Sequence, residues 1–139
     1  MSSFKIFDIA GSAMAAQSLR LNLVASNLSN ADSISSSIEQ TYRSRQPVFA
    51  AQLQEAIDKR SAPVGVQVLG VVESQAPLRM EYAPDHPMAN ADGYIFRPNV
   101  NTIEELTNMM SASRSYQDNV EVANTAKQLM LQTLRLGQT

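Results

Sequence analysis

All six prolines of this chain (Pro47, Pro63, Pro77, Pro84, Pro87 and Pro98) fall between residues 47 and 98. A proline inside a helix removes a backbone donor and clashes with the preceding turn. The flanks, 1–46 and 99–139, contain no proline and one glycine each, Gly11 and Gly137. Long helices are therefore permitted at both ends and excluded from the middle. This predicts an α+β chain in three parts: residues 1–46 as an N-terminal helix with a flexible polar loop at 33–37, 47–98 as a small β-rich outer domain, and 99–139 as a C-terminal helix.

The first flank carries a seven-residue repeat. Phe7, Met14, Leu21 and Leu28 recur every seven, and Ala10, Gln17, Val24 and Ala31 follow three residues behind. That is the a/d stripe of a coiled coil over about four heptads. In the second flank Leu106, Met109, Ser113, Tyr116, Val120, Ala123, Lys127, Met130 and Leu134 step by three and four. Thr102-Ile-Glu-Glu105 reads as a capping box with Thr102 at the N-cap, and Gly137 as the terminator past the last turn. In the middle, Val64, Val66 and Val68 alternate, as do Leu78, Met80 and Tyr82, and Tyr94-Ile-Phe96 follows the turn signal Asp92-Gly93. Residues 47–60 read either way, since Val48-Phe49 suit a strand while Phe49, Leu53, Ala56 and Ile57 have helical spacing.

Helices over 4–31 and 102–136 would be about 42 and 52 Å long at 1.5 Å per residue. A compact domain of this size is only about 35–40 Å across. A small middle domain cannot cover both faces of two such helices, so their stripes are expected to pack against other chains.

Composition removes other classes of function. A hydrophobic fraction of 44% excludes charge-driven disorder. A net charge of −2 excludes a strongly basic nucleic-acid binder, and none is expected as a partner. The absence of cysteine removes disulfides, thiolate nucleophiles and Cys-based zinc sites. The single histidine, His86, sits in a Pro84-Asp-His-Pro87 turn; with Asp85 and Asp92 it lacks a known ligand spacing. No glycine-rich phosphate loop occurs. Tyr42, Arg43 and Arg45 form a small basic-aromatic cluster that reads as surface. No catalytic residue, cofactor, metal or small-molecule substrate is expected.

The run Ile9-Ala-Gly-Ser-Ala-Met-Ala-Ala-Gln-Ser-Leu-Arg-Leu-Asn-Leu-Val-Ala-Ser-Asn-Leu-Ser-Asn-Ala-Asp32 resembles the N-terminal signature of the bacterial flagellar rod and hook proteins. Tyr42-Arg-Ser-Arg-Gln-Pro-Val-Phe49, His86-Pro87, Gly93-Tyr94, Pro98-Asn-Val-Asn101 and the stretch from Glu104-Glu105 to Lys127 are similar to the proximal-rod members of that family. The resemblance covers nearly the whole chain. It implies a structural subunit of the basal-body rod, exported by the flagellar type III apparatus without a cleaved signal. It further implies assembly with other copies and other rod proteins into a torque-transmitting tube across the periplasm. Phe7, Met14, Leu21, Val24 and Leu28 are then expected to pack between subunits from the first helix. Leu106, Met109, Tyr116, Val120, Ala123, Met130 and Leu134 are expected to do so from the second. Gln17, Asn27, Asn30, Asn119 and Asn124 are candidates for polar contacts between helices. The competing reading is a soluble helical adaptor or export chaperone that clamps a partner with the same stripes.

Overall fold

The computed structural model describes residues 3–52 and 65–138. Leu53, Ala56, Ile57 and Val64 lie outside the described residues. The element order is α1 (Ser3–Asn30), β1 (Arg45–Gln52), β2 (Gly65–Glu73), β3 (Arg79–Tyr82), β4 (Tyr94–Arg97) and α2 (Thr102–Leu136). The class is α+β, two long helices flanking a small antiparallel region. That region is two separate two-stranded ribbons, β1–β2 and β3–β4.

α1 and α2 run antiparallel. Asn27 meets Glu105 at the loop end of the pair, and Ile6 lies beside Val122, Ala126 and Leu129 at the far end. The seam closes on small side chains: Ala10, Ala16 and Val24 of α1, Ala31 just past its end, and Ala112 and Ala126 of α2 are buried. Small residues let two helix backbones approach closely, but each contributes little buried area.

At the loop end Ile95, Phe96, Pro98 and Val100 are buried, Ile95 and Phe96 in β4 and the other two in the segment that leads into α2. Phe96 exchanges both backbone hydrogen bonds with Ser35, at 2.9 and 3.0 Å. The polar segment 33–37, expected as a flexible loop, is therefore held in the core by an isolated bridge, with Ser35 buried. Composition suggested freedom, but a backbone pair overrides it because buried N–H and C=O groups must find partners.

Of the two helix-end expectations, the one at the start of α2 is corrected. Asn101, not Thr102, is the N-cap of α2: its side chain accepts the N–H groups of Ile103 and Glu104. Asparagine is a strong N-cap, and Glu105 is thereby free to turn inward, where it is buried. Gly137 does follow the last helical residue, but its φ of −74° is right-handed, and its N–H still bonds Thr133 O as in the helix. No left-handed cap forms. Left-handed backbone occurs instead at Gly93 (φ +83°) in the β3–β4 connection, where Asn90 Oδ1 accepts the N–H groups of Asp92 and Tyr94.

Candidate subunit-packing surface

Asn27 anchors the loop end. It sits in the last turns of α1 and is 1% exposed. Its Nδ2 donates to Arg45 O at 2.9 Å and to Glu105 Oε2 at 3.1 Å. Its Oδ1 accepts Tyr42 OH at 2.7 Å and Arg45 N–H at 2.9 Å. An asparagine amide has two donors and two acceptor lone pairs, so all four are used. One side chain thus ties α1 to the start of β1, to the segment before it and to α2. Around it Arg20 Nη2 donates to Asn108 Oδ1 at 3.1 Å, and the Arg45 guanidinium stacks 5.5 Å from the Tyr42 ring centre. Asn99 makes a second clasp: its Oδ1 accepts Ser44 N–H at 2.8 Å, and its Nδ2 donates to the carbonyls of Ser74 and Ala76.

The remaining polar candidates behave differently. Asn30 Nδ2 donates to Ser26 O and Asn119 Nδ2 to Ser115 O, each back into its own helix. Asn124 is exposed. Gln17 has a buried Oε1 with no hydrogen-bond partner.

The apolar candidates divide by row. In α1 Val24 is buried, bordering a hollow lined by β1 and the start of α2, while Phe7, Met14, Leu21 and Leu28 are half-buried. In α2 Met109, Val120, Ala123 and Met130 are half-buried, and Leu106, Tyr116 and Leu134 are exposed. The row that α2 turns inward is Glu105, Ala112, Asn119 and Ala126. Its spacing of seven was present in the sequence but hidden, because two of its members are polar and two are alanine. Sequence reasoning gave no inward role to Ala112 and Ala126 for that reason; it read Glu105 as a capping residue, Tyr42 as surface and Ser35 as flexible loop, and gave Asn99 no role, because the partners of these four are distant along the chain.

Ile103, Leu106, Met110, Val122, Leu129, Leu131, Leu134 and Leu136 of α2 are exposed, Val122 and Leu129 at the rim of the seam beside Ile6 of α1. Beyond its first turn, where Phe4 is exposed, the outward side of α1 is small and polar: Ala15, Ser18, Asn22, Ala25 and Ser29 are exposed. Val68, Leu69, Val71 and Val72 of β2 are also exposed, with Leu69 the extra residue where the ribbon's register shifts. The chain exposes 9900 Å². A compact monomer of its 15.2 kDa would expose about 7,100 Å², so the surplus is about 2,800 Å². Obligate interfaces bury roughly 2,000–5,000 Å² over both partners together, about half of that on each. Among the described residues no group of three or more His, Asp or Glu is placed to hold a metal ion, and no helix is long and apolar enough to cross a membrane.

Comparison with known proteins points the same way. Residues 7–33 match the family described as flagella basal body rod protein, and residues 91–136 match the flagellar basal body rod FlgEFG protein C-terminal family. The chain is 53% identical over 138 residues to flagellar basal-body rod protein FlgC of Salmonella typhimurium, covering 99% of this chain and 100% of that one. The FlgC of Escherichia coli O6:H1 matches equally, and that of Yersinia enterocolitica is 51% identical over the same length.

Proposed function

The chain belongs to the FlgC family of flagellar basal-body rod proteins, structural subunits of the rod, and on that premise we propose how it reaches the rod and what holds it there. It is exported by the flagellar type III apparatus and joins other copies of itself and other rod proteins in the tube that crosses the periplasm. The outward apolar stripe of α2, with the half-buried Phe7, Met14, Leu21 and Leu28 row of α1, forms the contact between subunits. The observation that carries this reading is what α2 leaves uncovered: its buried residues are Glu105, Ala112 and Ala126, while eight of its large aliphatic side chains are exposed among the described residues. Burial of one such leucine contributes about 2 kcal/mol, so several per subunit suffice for a stable polymer.

The test is electron microscopy of basal bodies from a strain lacking the gene, with a swimming assay alongside. Rings without a completed rod, restored by the wild-type gene, are the expected result. Normal basal bodies and normal swimming would refute it and favour a helical adaptor with the same stripes.

A further inference from the structure

The two ends of the helix pair carry opposite charge on exposed, partly apolar surface. From Val122 to Gln138 the charged residues are Lys127 and Arg135, with no acid between them. From Ala31 to Thr41 they are Asp32 and Glu39, with no base. All four are exposed, and among the described residues none forms an ion pair. The first segment also exposes Leu129, Leu131 and Leu134, and the second exposes Ile38. The first lies at the far end and the second at the loop end. Between them stand the 28 residues of α1, about 42 Å at the helical rise, so the two segments cannot meet within one chain.

The loop end has room for a helix end. An open hollow of about 780 Å³ lies between the end of α1, the segment before β1 and Glu73 of β2, with Ile34, Ile38 and Glu39 on its lining. Two cations also line it, and both are engaged: Arg43 donates to the Ser74 and Ala76 carbonyls, and Arg45 pairs with Glu73 at 3.4 Å. Glu39 is left as the uncommitted charge. A helix about 10 Å across fills roughly 420 Å³ per turn, so the hollow takes about two turns. Residues 131–136, all exposed, are about one and a half turns at the end of α2. We propose that the end of α2 of one copy docks in the loop-end hollow of a second copy, its leucines against Ile34 and Ile38 and Arg135 against Glu39. This rests on the rod-subunit reading above. The occupant is a second copy because one chain supplies both halves, opposite in charge and alike in size. A head-to-tail contact of this kind joins unlike surfaces, so it propagates instead of closing on itself, as a tube requires. The charges also set direction, since two loop ends or two α2 ends would bring like charges together.

The chain has no cysteine of its own, so introduced cysteines report the contact without background. The full-length chain carrying both Glu39→Cys and Arg135→Cys is expressed in the strain lacking the gene, and its basal bodies are treated with an oxidant. A ladder of dimers and larger species is expected, with either substitution alone left monomeric. No species above the monomer, or the same ladder from one substitution alone, would overturn the contact. Charge reversal is the second readout. Arg135→Glu and Glu39→Arg should each leave the urea midpoint of the isolated chain unchanged, because both side chains are exposed. Each places like charges opposite one another and should lose most swimming, and the two together in one chain should restore it. Loss by each without recovery in the pair would show that the partner is not a second copy, and full swimming by each would show that these ends do not meet. Failure of the rod reading is separate, since it appears as normal basal bodies in the strain lacking the gene.

Discussion

At the loop end of the helix pair, Asn27 joins α1, β1 and α2 through four hydrogen bonds, Ser35 pairs with Phe96, and Asn101 caps α2. At the far end the seam closes over Ala10 and Ala126, and residues 131–136 are all exposed. The same two helices are thus specified by directional polar contacts at one end and left to shallow packing at the other. Directional contacts fix one geometry and are costly to break singly. Shallow packing on alanine contributes little and leaves the larger side chains for other partners. The loop end is built to fold, and the far end is built to be covered.

The largest effect separating the two ends should come from Asn27→Ala. It removes the side-chain partner of the Arg45 N–H and C=O and of the buried Glu105 carboxylate at once, while Tyr42 OH keeps Ser26 Oγ. Each orphaned buried group costs roughly 1–3 kcal/mol, and because they share one network the sum is not additive. A loss of about 3 kcal/mol or more is expected, read as a lowered urea midpoint of the isolated chain. A loss below about 1 kcal/mol would mean that the loop end is no better secured than the far end.

A smaller effect at the same end tests the correction at the start of α2. Asn101→Ala removes the side-chain oxygen that accepts Ile103 and Glu104 N–H, and should destabilise the chain by about 1 kcal/mol. Thr102→Ala should change stability by less than about 0.5 kcal/mol, because Thr102 lies past the cap and is exposed. The reverse order in thermal unfolding would restore the capping box read from the sequence.

How legible the molecule is from its residues follows the same division. The two long helices, their ends within a residue or two, and the strands around Val66–Val68, Met80–Tyr82 and Tyr94–Phe96 follow from proline placement and periodicity, which are local signals. The loop end was largely illegible because its bonds span long stretches of chain: Asn27 reaches Glu105 over 78 residues and Ser44 reaches Asn99 over 55. No spacing rule encodes such pairs. The heptad stripe was legible as a stripe, but not which of its rows stays inside the chain. Val24 illustrates this: in sequence it belongs with Leu21, yet it is 4% exposed and Leu21 is half-buried. A charge at Val24 would break the subunit itself and could not report on assembly.

Exposed far-end positions avoid that confusion and give the smallest expected effect on the folded chain. Leu129 and Leu134 are 57% and 64% exposed. Lysine is a good helix former, and a cation suits the C-terminal turns of a helix. Leu129→Lys with Leu134→Lys should therefore shift the stability of the isolated chain by no more than about 0.5 kcal/mol. In the polymer the same two ammonium groups would have to be buried or repelled at each subunit contact, so rods should fail and swimming should be lost. A variant as stable as wild type that cannot build a rod would show that the two ends do separate work. Normal swimming would place the subunit contact elsewhere, with the exposed β2 ribbon as the next surface to charge.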